Sequence, residues 1–88
     1  MKKLKAFAVH GTAVGSDKSI KLGEISILAD PENLKDLGVF LISASYEMAR
    51  NGIEHLHLQD LIENFSHKKH VDLIALNQEV IKPVRSDH

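Results

Sequence analysis

The chain has 88 residues, 43% of them apolar, with 11 basic and 12 acidic side chains for a net charge of −1. That length shelters one core and not two, the apolar content excludes a disordered chain, and the balanced charge provides no single-signed field to draw in nucleic acid or an anionic membrane. There is no cysteine, which excludes disulfide frameworks and thiolate zinc sites.

The chain opens on Met1-Lys2-Lys3-Leu4-Lys5, a basic start with a superficial likeness to a signal peptide. Its apolar stretch lasts only about six residues, short of the ~7–15 that a signal core needs. No window approaches the ~20 apolar residues of a membrane span. The expectation is a cytoplasmic protein that opens with a strand. Residues 4–9 alternate weakly, as a strand does. Gly11, Gly15, Ser16 and Asp17 mark residues 11–19 as a hairpin loop. Residues 20–29 predict a second strand, with Gly23, Ile25, Ile27 and Ala29 on one face and Leu22, Glu24, Ser26 and Leu28 on the other.

Asp30 suits a helix N-cap, because its carboxylate accepts from the free amides of the first turn. Pro31 fits the first helical position, where a missing N–H costs nothing. Glu32 and Arg50 complement the two ends of the helix dipole, and Asn51-Gly52 supplies the left-handed stop. An apolar stripe runs through Leu34, Leu37, Gly38, Leu41, Ser45 and Met48 at helical spacing. Val39, Phe40, Ile42 and Tyr46 carry apolar character well beyond that stripe. These four are therefore expected to meet either a covering loop or a partner protein.

Residues 53–58 predict a third strand and residues 71–76 a fourth, with room for one helical turn in the polar stretch 61–70. The fourth strand is apolar on both faces, which places it inside a sheet covered on both sides. From Asn77 the chain reads as an extended segment, then a flexible tail over residues 83–88. The expected architecture is α+β in a single domain over residues 1–82. Its order is ββαββ, with a four-stranded, mainly antiparallel sheet and one long helix, about residues 31–51, packed on one face.

The best cluster of chemistry-bearing side chains is Glu54-His55-Leu56-His57-Leu58-Gln59-Asp60. Residues two apart on a strand share a face, so His55 and His57 stand together with Gln59 beyond them. Two imidazoles at this spacing can reach one zinc at about 2.0–2.1 Å, but a catalytic zinc needs a third protein ligand. Glu24, His67 and His70 are the candidates, and none forms a ligand pair at fixed spacing. No metal and no cofactor is expected. His67-Lys68-Lys69-His70 lacks the aromatic interleaving of a nucleic-acid footprint. The glycines do not form a phosphate loop, and no nucleophile elbow appears. No catalytic residue can be named, and the chain is read as a non-enzyme.

Residues 23–34, Gly-Glu-Ile-Ser-Ile-Leu-Ala-Asp-Pro-Glu-Asn-Leu, run a strand into a helix through an Asp-Pro-Glu-x-Leu junction. A long apolar helix, then His55-Leu56-His57-Leu58-Gln59-Asp60 and Val71-Asp72-Leu73-Ile74-Ala75-Leu76-Asn77 follow. In that order, over roughly residues 20–80, the chain resembles the immunity protein 32 family of bacterial polymorphic toxin systems. The resemblance implies a non-enzymatic protein that neutralises a cognate toxin by stoichiometric binding, through anchor side chains and electrostatic match. The positions it carries over are Glu24, His55, His57 and Asp60. Many immunity proteins are strongly acidic and this chain is nearly neutral, which leaves the toxin class open. Two other readings compete with a toxin-binding protein. One is a homodimeric structural domain, and the other a small metal- or ligand-binding domain using His55 and His57.

Overall fold

The computed structural model describes residues 2–81, so the tail expected over residues 83–88 lies outside the described part. The fold is α+β, and its elements follow the expected order. Strands β1 (Val9–Gly11) and β2 (Ile20–Leu22) precede one long helix, α1 (Pro31–Asn51). Strand β3 (His55–His57), a 3-10 turn (Leu58–Asp60) and strand β4 (Ile74–Leu76) follow it.

The four strands do not join into one sheet. They form two antiparallel pairs, β1 with β2 and β3 with β4. The first hairpin closes through a turn in which the Ser16 N–H donates to the Ala13 carbonyl at 3.0 Å. Gly15 takes φ 85° there, which a residue with a Cβ resists in the third position of a tight turn. The pairing stops early, and the register explains why. Val9 faces Leu22, so the next pairs outward would be Ala8 with Gly23 and Phe7 with Glu24. Neither offers the side-chain contact that stabilises a ladder. Leu4 and Phe7 consequently stay 70% and 72% exposed.

Helix α1 starts and stops where its sequence signals lie. The Asn33 N–H donates to Asp30 Oδ1 at 2.8 Å, and Gly52, at φ 63°, donates its N–H to the Met48 carbonyl. Its buried residues are Phe40 and Ala44, with Leu37, Gly38 and Met48 half-buried. Leu34 and Leu41, inside the expected stripe, are half exposed at 50% and 49%. At about 100° per residue the packed face is turned by roughly 60° from that stripe. The helix is apolar over so much of its girth that periodicity did not select the buried side.

What the helix covers is the inner face of the second hairpin. His55 pairs with Leu76, Leu56 with Ala75, and His57 with Ile74. Leu56, Leu58, Leu73 and Ala75 therefore face α1, and Leu58 is 7% exposed. On the opposite face Ile74 and Leu76 remain 45% and 58% exposed. The expectation that β4 would be covered on both sides is corrected here: no described strand lies over its outer face. The apolar core of the described residues is Phe40, Ala44 and Leu58.

One polar side chain secures the hairpin's exit. Asn77, 7% exposed, donates from Nδ2 to the Ile53 carbonyl at 2.9 Å and accepts the Glu79 N–H at 3.0 Å. Its own N–H donates to the Glu54 carbonyl, and its carbonyl accepts from Val80 and Ile81. It ties the end of α1 to the end of β4.

Candidate functional site

The strand geometry of β3 brings His55 and His57 to one face, as alternation requires. Their rings meet edge to face, with centroids 5.2 Å apart and planes at 81°. His57 Nδ1 lies 2.7 Å from Asp72 Oδ2. A carboxylate only accepts, so Nδ1 carries the proton and donates, which leaves Nε2 as the free nitrogen. Asp72 Oδ1 accepts the Gln59 N–H at 3.0 Å. One carboxylate thus clasps the histidine and the backbone of the 3-10 turn together. His55 stands outside this clasp, with Nδ1 3.4 Å from Glu54 Oε1 and its side chain 46% exposed.

The sequence-derived set is therefore divided. His55, His57 and Gln59 are neighbours, Gln59 joining through its backbone and not through its amide. Asp60 is exposed at the end of the 3-10 turn. Glu24 is exposed on the segment after β2, and it makes no hydrogen bond or ion pair with the histidines among the described residues. His67 and His70 are occupied locally: His70 Nδ1 accepts the Ser66 N–H at 3.0 Å, and both rings pack on Phe65. Among the described residues no group of three or more His, Asp or Glu side chains is placed to hold a metal ion. The His57–Asp72 pair fixes one imidazole's tautomer and orientation, the usual effect of a carboxylate behind a histidine.

Asp72 is the residue that sequence reasoning missed. Its signal lay in the register: with His57 opposite Ile74, Gln59 comes opposite Asp72 on the same face. That pairing could not be known before the hairpin was seen.

The four helix residues expected at an interface also separate. Phe40 is 5% exposed and belongs to the core, which corrects its assignment to a contact surface. Val39, Ile42 and Tyr46 are 53%, 60% and 64% exposed. On the helical wheel they fall within about 60° of one another, on the side away from Phe40 and Ala44. Lys35 and Arg50, both exposed, fall on the same line at its two ends. The outer side of α1 thus reads acidic, basic, apolar, apolar, aromatic, basic, with Lys35 Nζ 3.5 Å from Glu32 Oε2 on the same line.

A groove of about 680 Å³ runs between residues 26–29, the N-terminal half of α1 and the loop before β4. Leu37, Phe40, Leu58 and Leu73 line it, with Asp36 and Lys69 as its charged residues. Among the described residues no helix is long and apolar enough to cross a membrane.

Comparison with curated proteins finds no match, and comparison with solved structures finds none. The family model described as immunity protein 32 matches residues 24–78, from the segment after β2 through α1 to Gln78. That span holds more than half of the chain and includes both the His57–Asp72 clasp and the exposed side of α1. The chain belongs to the immunity protein 32 family.

Proposed function

We propose that this protein neutralises a cognate toxin by stoichiometric, non-enzymatic binding in the cytoplasm of the cell that makes it, and that the outer side of α1 is the contact surface. The carrying observation is the line Val39, Ile42 and Tyr46, each more than half exposed, on a helix whose other side already holds the core. An apolar and aromatic centre with charged ends is the anatomy of a protein interface. A helix laid into a groove uses side chains at this spacing as anchors. Arg50 fits a partner whose groove is apolar in the middle and acidic at the end that meets it, whereas Lys35 is paired with Glu32. His57 and Gln59 serve the hairpin instead, since Asp72 engages both.

The test is co-expression with the toxin encoded beside the immunity gene. The native chain restores growth and co-purifies with the toxin. Ile42→Ala/Tyr46→Ala loses both, while His55→Ala/His57→Ala retains both. The opposite pattern moves the contact surface to β3, and a native chain that neither protects nor co-purifies removes the toxin-binding reading.

A further inference from the structure

We infer that residues 24–28 form an antiparallel strand pair with the same residues of a second copy, joining two chains edge to edge. This does not rest on the toxin-binding reading. Residues 24–29 alternate as a strand does, yet the ladder of β2 ends at Leu22. No backbone hydrogen bond links residues 23–29 to any described residue. Ile25 and Ile27 are each 50% exposed, and Leu28 is 103% exposed. A bare backbone edge with alternating apolar side chains is a template for another strand.

The order of the segment argues that the second strand comes from another copy, since Ile25 and Ile27 flank Ser26 and lie opposite one another when the segment pairs with itself. A net charge of −1 leaves little repulsion between copies.

The sequence also selects the register. Pairing about a two-fold axis normal to the ribbon keeps like faces opposite, so the axis passes through a single residue. Centred on Ser26, Ile25 pairs with Ile27 on an apolar face that complements itself, and Glu24 pairs with Leu28 on the other face. Centred on Ile27, Glu24 would face Asp30, and like charges directly opposite destabilise a ladder. Centred on Ile25, Gly23 would face Ile27, leaving that isoleucine nothing to pack on.

Cysteine cross-linking reads the register directly, because the chain has no cysteine of its own. Paired strands hold opposite Cα atoms about 4.5–5.5 Å apart, inside the range that a disulfide spans. Ser26→Cys therefore cross-links to itself on mild oxidation, on the order of 100-fold faster than Asp17→Cys in the exposed hairpin loop. Glu24→Cys mixed with Leu28→Cys cross-links equally fast. Glu24→Cys alone does not, since its own copy lies about 13 Å away along the strand. By sedimentation the native chain is a dimer at micromolar concentration. Ser26→Pro and Ile27→Pro between them interrupt both hydrogen-bonding parities of the ladder, and at least one of the two is monomeric with its helical signal intact. A native chain that is monomeric at every concentration overturns the inference. So does Glu24→Cys cross-linking to itself as fast as to Leu28→Cys, or a dimer that survives both prolines.

Discussion

Asn77 offers the sharpest test of how this small fold is held together. Its side chain makes two hydrogen bonds at 7% exposure. Asn77→Ala removes both, and their consequences differ. Glu79 is exposed, so its freed N–H turns to water at little cost. The Ile53 carbonyl sits at a half-buried residue and loses its donor. One ordinary hydrogen bond plus part of one desolvation penalty comes to about 1–2 kcal/mol. For a domain this size that lowers Tm by roughly 5–15 °C. Asn77→Asp discriminates further. It keeps the acceptor for Glu79 but turns a carboxylate toward the Ile53 carbonyl, 2.9 Å from the present Nδ2. Burial and that carbonyl both disfavour the ionised form, so the folded-state pKa lies above the unfolded value of about 3.9. Stability then falls as pH rises from about 4, and the variant recovers on acidification. Urea unfolding followed by helical circular dichroism suits a chain without tryptophan, at one fixed chain concentration. An Asn77→Ala cost under about 0.5 kcal/mol, or an Asn77→Asp penalty equal at pH 4 and pH 7, refutes the clamp.

Three further outcomes follow from the same geometry. Asp72→Ala frees both His57 Nδ1 and the Gln59 N–H and costs about 1–3 kcal/mol, whereas Asp72→Asn retains an acceptor for Gln59 and costs less; chemical denaturation ranks the two. Asp30→Ala removes the N-cap bond to Asn33 and costs about 1 kcal/mol, with Asp30→Asn close to native, read as helical signal and Tm. Phe40→Ala opens the apolar core that Phe40, Ala44 and Leu58 form among the described residues and costs about 3–5 kcal/mol, the largest loss of the set, so its urea midpoint lies lowest.

What the sequence disclosed about this fold follows the range of the forces involved. Local signals were legible: Asp30, Pro31, Asn51 and Gly52 bound α1 at Pro31–Asn51, since caps act within one turn. The shared face of His55 and His57 was legible for the same reason. Pairings distant in sequence were not. Asp72 meets His57 across fifteen positions and Asn77 reaches Ile53 across twenty-four, and both depend on a register no local pattern encodes. The strands shortened because alternation reports that a side of the chain is apolar, without reporting whether another strand stands beside it. The helix's packed side was obscured by the residues that now look outward. Val39, Ile42 and Tyr46 carry the same apolar signal as Phe40 and Ala44, and periodicity weighs them alike.

That confusion can be turned into a measurement, because the two sides of α1 should answer to different assays. Val39, Ile42 and Tyr46 are more than half exposed, so alanine at each changes the stability of the free chain by no more than about 0.5 kcal/mol. Tyr46 is the aromatic residue of the outer line, between Ile42 and Arg50, and an aromatic anchor is worth about 2 kcal/mol or more in a complex. Tyr46→Ala should therefore weaken toxin binding about 30-fold while leaving the urea midpoint of the free protein in place. Phe40→Ala does the reverse, lowering the midpoint and weakening binding only through the unfolded fraction. The contrast extends to the bound state. A partner present at 100 times its dissociation constant adds about 2.7 kcal/mol to folding stability, a large gain for a chain with so small a core. The toxin should raise the native Tm and lose most of that effect on Tyr46→Ala at the same concentration. If Tyr46→Ala unfolds the free chain as readily as Phe40→Ala, the outer side of α1 is core after all. Binding would then have to be sought on the exposed face of β3 and β4.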